Sequence, residues 1–471
     1  MLFRSSNLEE SPLKNVRIVD IAVGDNHTVA LDSEGKVWTW GYNYYGQLGD
    51  GTSEDKNIPQ CISNIEDSIL NGVNVTQISA GYNRIIVVDE NNNIYGTGEG
   101  SYLGIGEEYT QKLGDYNTYK FVKLNNYMGN NIKVKKIKTS HYITAIIDEN
   151  EEVWFFGQEH NGNMGIGSSD SYVFKYSPVC VNDINGSSLK DVKVKDVFIG
   201  DQTTAILDEN GKVWTCGKND YGQLGNGTTN DSSVFSCISY IEDSIIKDKV
   251  ISYIALSNNT TSILDENGNL YSCGYNSDGR FGNGETSYNS TSLPVEGKIL
   301  MTRRFKYMKF KEIAAGSSYT IAIDTDGDLW GAGYGNYLGI GSNSYYNLGG
   351  DSSVKLFYNI SDYNELDTKF IKLSTSSYGF TAVLDIEGKV WTWGSSNSNY
   401  AQGKGETNDS NILYKVMCIS DVDGSAINDV KIKEITANNN SITMVSEDGQ
   451  VYVTGRYKIG ENYYKIGRAH V

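Results

Sequence analysis

Proline is nearly absent from this 471-residue chain, four residues against 51 glycines, and lysine and arginine number only 40 against 58 aspartates and glutamates. The formal charge of -18 argues against nonspecific nucleic-acid binding, because phosphate backbones select the opposite sign. A basic partner is compatible with it. No run of 18 apolar residues occurs, so no membrane-spanning helix is read, and Met1 to Asn15 lacks the continuous apolar stretch of a signal peptide. A cytoplasmic location is the default expectation. The six cysteines include no Cys-x-x-Cys pair and read as small buried hydrophobes, not as metal ligands or disulfides. His-Glu-x-x-His, a nucleophile elbow and a Walker-type loop are all missing. The expectation is a protein that is not an enzyme and needs no cofactor or metal.

What the chain does have is a repeat. An aspartate closes a short apolar run at Asp32, Asp89, Asp148, Asp208, Asp265, Asp324 and Asp385, with Ser446 in the eighth copy, at a period of 57 to 61 residues. Six positions later stands Trp or Tyr: Trp38, Tyr95, Trp154, Trp214, Tyr271, Trp330, Trp391 and Tyr452. Nine positions later is always glycine: Gly41, Gly98, Gly157, Gly217, Gly274, Gly333, Gly394 and Gly455. Three positions later Gly35 and its counterparts mark a tight turn, with Asn92 and Glu151 breaking the rule.

These spacings describe hairpins. HTVALD and KVWTWG are β-rich runs joined by Ser-Glu-Gly, IVDIAVG supplies a strand before them and IPQCIS one after. Both faces of the runs carry apolar or small residues, as a sheet sandwiched between two others requires. Radially stacked four-stranded antiparallel sheets make a β-propeller. The fold class is therefore all-β, a propeller of four-stranded blades, expected as seven blades with a partial or surplus eighth repeat.

The residues resemble the regulator of chromosome condensation repeat family. Its motif is similar to Gly24-x-x-His27-Thr28, Leu31, Gly35, Val37-Trp38, Trp40-Gly41 and Gly46-Gln47-Leu48-Gly49-x-Gly51, and copy four keeps Gly200, Thr204, Gly211, Trp214, Gly217 and the run Tyr221 to Gly227. Ser140, Ser257, Ser377 and Asn438 stand where Gly24 does in more degenerate copies. The resemblance implies a ring that most often has seven blades. It covers an exchange factor for a small GTPase, an ultraviolet-B photoreceptor, bacterial effectors and a β-lactamase-inhibiting protein. The photoreceptor function is disfavoured, since its Gly-Trp-Arg-His-Thr motifs are replaced here by Gly24-Asp-Asn-His27-Thr28 and Gly81-Tyr-Asn-Arg84.

Three segments are expected: residues 1–17 as the tail of a preceding repeat or an N-terminal strand, 18–465 as the propeller with cores beginning near 18, 75, 134, 194, 251, 310, 370 and 432, and 466–471 as a sequencing-adapter artefact. Ser11 to Gly24 parallels Ser187 to Gly200, which is why the chain reads as opening inside a repeat. The last six residues, IGRAHV, follow no repeat pattern.

Individual residues carry little chemistry. His27 reads as tied to its blade, not as a general base. Asp324-Thr-Asp326-Gly-Asp328 has alternating carboxylates, but the alignment makes it the copy-six hairpin turn and not a calcium loop. The basic stretch Met301 to Lys311 reads as a solvated connector.

Geometry points to a surface. In an antiparallel four-stranded blade alternate connections emerge on one side, so Asp25-Asn26 and Asn43, Tyr44 and Tyr45 share a face. That face would also collect Tyr82, Tyr102, Asp220, Tyr221, Asn276, Tyr334, Tyr337 and Asn397. Tyrosine and asparagine loops on a rigid scaffold are the composition of adaptable binding surfaces. The expected function is a noncatalytic protein-binding scaffold, bacterial in type, using that face. A small GTPase is an expected alternative partner, met by an exchange factor or effector. The other alternative is a module of a bacterial surface or secreted protein that binds carbohydrate.

Overall fold

The strand His27–Asp32 ends on a carboxylate that builds the next turn. One Asp32 oxygen accepts the backbone N–H groups of Glu34 and Lys36, each at 2.9 Å, and the other accepts the Trp38 indole N–H at 2.8 Å. The turn returns the chain as Val37–Gly41, in register Val29 against Thr39. Asn92 and Glu151, at the place of Gly35, take the same left-handed backbone (φ 62° and 65° against 77°). The turn geometry is thus kept where the glycine is not, and asparagine carries that conformation more readily than glutamate.

The computed structural model describes residues 3–4, 12–105, 117–126, 132–168, 170, 172–297, 309–340, 353–376, 379–394, 416–422, 425–437, 441–459 and 462–466. Eight antiparallel sheets follow one another, seven of them four-stranded and built in sequence order. Their inner strands begin at Ile18, Val75, Val134, Val194, Ile251, Phe310, Phe370 and Ile432. The second strand of every sheet is buried at all six positions, because neighbouring sheets cover both of its faces. Outer strands hold Pro59, Pro178 and Pro294, where a missing N–H breaks no further ladder.

The hydrophobic core is divided among the seams between blades. Val153, Phe155 and Met164 of the third blade pack with Val197, Trp214 and Phe235 of the fourth. Phe380 and Leu384 of the seventh meet Ile435, Met444 and Tyr452 of the eighth. Val445, Val451 and Val453 of the eighth meet Ile18, Trp38 and Trp40 of the first. The ring closes through the eighth repeat, which forms a full neighbour on both sides.

The eighth sheet draws its outer edge from both ends of the sequence. Phe3–Arg4 pairs with Val453 and Tyr452, the register that Gln60 and Cys61 hold against Thr39 and Trp38 in the first blade. Asn462–Ile466 pairs farther along the same strand, Ile466 opposite Gly455.

Candidate partner-binding face

In the first six blades the long loop after the third strand is anchored to the turn between the first two strands of its own blade. Tyr42 N–H donates to the Asn26 carbonyl at 2.9 Å, and Glu99, Gln158, Lys218, Tyr275 and Tyr334 do the same to Asn83, Tyr142, Gln202, Asn259 and Ser318 at 2.9 to 3.1 Å. Turn and loop therefore lie on one end of the ring. Gly41 explains the invariant glycine at this joint: its φ is 111°, and an added Cβ would sit 2.5 Å from the Asn26 carbonyl oxygen. Gly98, Gly157, Gly217, Gly274, Gly333 and Gly394 meet the matching backbone at 2.0 to 2.4 Å. Gly46 and Gly49 lie against Tyr119 and Phe121, so the loop of the first blade rests on the outer strand of the second.

The face is aromatic over its first three blades. Tyr44 and Tyr45 meet edge to face at 5.1 Å, and the Tyr82 ring lies 5.8 Å from Tyr142 and 5.9 Å from His141. Tyr142 stacks on His160 at 4.7 Å, and His160 meets the edge of Tyr172 at 4.7 Å. Tyr44 and Tyr172 are the most open of these, 62% and 66% exposed. Beneath them Tyr102 is buried, lying under Phe174 at 6.2 Å and receiving the Arg84 guanidinium 5.5 Å from its ring centre. Burial pushes the Tyr102 phenol well above its ordinary range.

Elsewhere on the face the aromatic groups are smaller. Tyr221 meets Tyr275 at 4.9 Å, Arg280 lies over Tyr275, and Tyr334 meets Tyr337 at 5.2 Å. Asp220 is exposed beside Lys218. Asn397 and residues 301–308 of the basic stretch lie outside the described residues.

Besides buried Tyr102, two expected contact residues turn inward. Asn43 is fully buried, its carbonyl oxygen accepting Leu48 N–H at 2.9 Å while its amide donates to the carbonyls of Thr52 and Glu54 at 3.0 and 3.1 Å. Asn219 repeats the set, and Asn276 accepts from Phe281 and donates to Glu285. An asparagine side chain presents both a donor and an acceptor, so it can staple the two arms of a loop at once. Asn43 and Asn276 hold the face without belonging to its surface.

A network under the aromatic layer ties the first three blades together. His27 Nε2 donates to the Arg84 carbonyl at 3.3 Å, and Arg84 in turn donates to the carbonyls of His141 and Ser140 at 2.9 and 3.2 Å. Full burial pushes the His27 imidazole down to about 4 and Arg84 down to about 10. Gly24 is required by the His27 ring, whose Cε1 would lie 2.1 Å from an added Cβ. In the seventh blade Ser377 lies outside the described residues, and the register places Ser376 at the Gly24 position with a turn one residue longer.

At the axis His141 stands between two carboxylates, Nδ1 3.2 Å from Asp201 and Nε2 3.5 Å from Asp25. The Asp201 hydrogen bond raises the His141 imidazole, and burial raises Asp25. His141 and Asp201 border a cavity of about 530 Å³ along the axis, lined chiefly by inner strands and by hydroxyl and amide groups such as Ser140, Ser257, Asn258, Ser317 and Ser376.

The remaining expectations settle locally. The six cysteines are free thiols, and burial raises Cys216 well above its ordinary value. Asp324 accepts Asp328 N–H at 2.7 Å and the Trp330 indole N–H at 2.9 Å, the hairpin role that Asp32 has in the first blade. Among the described residues no helix is long and apolar enough to cross a membrane.

The model of the RCC1-like domain matches residues 4–306. This chain belongs to the RCC1-like domain family. Ultraviolet-B receptor UVR8 of Arabidopsis thaliana is 26% identical over 346 residues, 72% of this chain and 71% of that protein. Guanine nucleotide exchange factor SRM1 of Saccharomyces cerevisiae is 27% identical over 367 residues, 70% of this chain and 72% of that protein. Human E3 ubiquitin-protein ligase HERC2 is 27% identical over 66% of this chain, which spans 6% of HERC2. Among solved structures, yeast Prp20p superposes with a TM-score of 0.59 at 17% identity, covering 92% of this chain and 93% of that one, and shares the RCC1-like fold.

Proposed function

We propose that this RCC1-like propeller is a noncatalytic scaffold that takes a protein partner on the face of its long loops. The observation that carries the reading is the aromatic surface made by the Tyr44–Tyr45 pair and by the run of rings from Tyr82 through Tyr142 and His160 to Tyr172. Amphipathic rings already packed on one another lose little side-chain freedom on binding and bring both contact area and hydrogen-bonding tips. Buried Asn43 and Asn219 make the loops that carry such rings stiff, which lowers the cost of association further.

The test compares two faces of one molecule. A Tyr44→Ala, Tyr82→Ala, Tyr172→Ala variant is expected to lose a partner that the wild-type chain and a Tyr240→Ala variant both retain in affinity capture. Tyr240 is 62% exposed and follows an outer strand, on the connectors' side. Equal capture by all three proteins would overturn the reading.

A second reading is a small GTPase as that partner, supported by the resemblance to SRM1 over 70% of this chain. Accelerated release of labelled nucleotide from a GTPase panel, abolished by the same triple variant, is its expected signature. Unchanged release across the panel would remove it.

A further inference from the structure

The third blade departs from an asparagine that the first, fourth and fifth blades share. Counting two residues from the joint glycine, Asn43, Asn219 and Asn276 are matched after Gly157 by Glu159. Glu159 is fully buried, and neither of its carboxyl oxygens makes a hydrogen bond. In the first and fourth blades the amide N–H₂ at this place bonds loop carbonyls, those of Thr52 and Glu54 or of Thr228 and Asn230, at 2.9 to 3.1 Å. By register, Ser168 and Asp170 stand where Thr52 and Glu54 do. A carboxylate has no proton to offer such carbonyls, whereas a carboxylic acid has one donor and one acceptor, the pattern of an amide.

We propose that Glu159 is a protonation switch in the binding face: as the neutral acid it holds loop residues 160–168 as asparagine holds the loops of the first, fourth and fifth blades, and as the carboxylate it releases them. His160 and Tyr172 are the paired strand ends from which the loop springs, so release loosens the third-blade part of the aromatic surface. The consequence for binding rests on the partner reading above, while the switch itself does not.

The surroundings agree. Burial is the chief influence and raises the Glu159 carboxyl to about 7. Against it act the Met164 and Ile166 backbone N–H groups, which face the carboxyl without completing a hydrogen bond, and the Lys175 ammonium on the outer strand. Asp170 on the loop adds a like charge that favours the neutral form. Across the seam the Cys216 thiol is raised and stays uncharged, and neighbouring His160 is lowered by burial and stays neutral near pH 7. The sign follows: the acid is held above its ordinary value of 4.5, so the closed loop is favoured at low pH, and stability is lost as pH rises from about 4.5 to about 7.

The experiment is hydrogen exchange read by mass spectrometry on the whole chain from pH 6 to pH 8, corrected for the intrinsic exchange rate. Between these pH values the wild-type segment 158–172 is expected to lose about tenfold in protection, the linkage effect of a carboxyl moved from 4.5 to about 7. Segment 42–56, closed by Asn43, and segment 158–172 of Glu159→Gln are expected to show no such loss. The same pH response in the wild type and in Glu159→Gln would overturn the switch. Should Glu159→Gln fail to fold, Asn219→Asp carries the test: segment 218–232 must then acquire the response, and its absence overturns the proposal. No partner enters either measurement, so a failed switch and a failed partner reading are told apart.

Discussion

The carboxylate of Asp32 and the indole of Trp38 meet at 2.8 Å, and the bond between an aspartate and the aromatic residue six positions on recurs in seven of the eight blades, as far as Asp385 and Trp391 at 2.8 Å. Tyr95 and Tyr271 make it through their hydroxyls at 3.0 and 3.1 Å. One carboxylate thus closes a turn with one oxygen and orients a seam residue with the other. In the eighth blade the hydroxyl of Ser446 takes over the turn, accepting Gln450 N–H at 2.9 Å.

Removing that carboxylate separates the two roles. Asp208→Ala strands the Trp214 indole and the N–H groups of Asn210 and Lys212, and is expected to cost about 3 kcal/mol in denaturant unfolding. Trp214→Phe keeps an aromatic ring and the turn, and is expected to cost about 1 kcal/mol. Equal costs would mean that the turn contributes nothing.

Gly24 and His27 are expected to be coupled. Gly24→Ala drives a methyl into the His27 ring and is expected to cost about 2–3 kcal/mol. The fifth blade already joins Ser257 to Thr260 at these places, so Gly24→Ala is expected to cost less in a His27→Thr background. A double-mutant cycle with no coupling would contradict the contact.

Two histidines respond to pH with opposite signs. His27 is depressed to about 4 by burial, so the stability it contributes is full above pH 6.5 and is lost as pH falls from 6.5 towards 4. His141 is raised by Asp201 and Asp25, so its contribution is full below pH 6.5 and is lost as pH rises through its folded value. Unfolding midpoints across pH 4 to 8 are expected to flatten on the acid side in His27→Gln and on the alkaline side in His141→Gln.

The staples are expected to act locally. Asn43→Ala leaves the carbonyls of Thr52 and Glu54 and the Leu48 N–H without their partner, and is expected to raise exchange in 44–55 while leaving 220–231, closed by Asn219, unchanged.

Much of the fold was legible because hairpins are local. Asp32, Gly35 and Trp38 meet within seven residues, and their spacing writes the turn directly into the sequence. The eighth blade was harder to place, because closure depends on Val445, Val451 and Val453 meeting Trp38 and Trp40 across the whole length of the chain. Asn43 and Asn276 were taken for surface because their partners arrive only when the loop returns, nine to eleven residues later. Tyr142 and Tyr172 carry no sequence signal that groups them with Tyr44 and Tyr82. Neither occupies the place of Tyr44 or Tyr45, and what joins them is the His160 ring between them. The available signal is Glu159 at the place where the first, fourth and fifth blades keep asparagine, followed by His160.

The central claim is that one end of the ring meets a protein partner, and site-specific photo-crosslinking tests it most directly. A photoreactive residue is placed at Tyr44, Tyr172 or Tyr240 in turn, within cells that express the protein. A discrete adduct from Tyr44 and Tyr172, and none from Tyr240, is the expected result. Adducts from Tyr240 alone would place the partner on the connectors' side and contradict the claim.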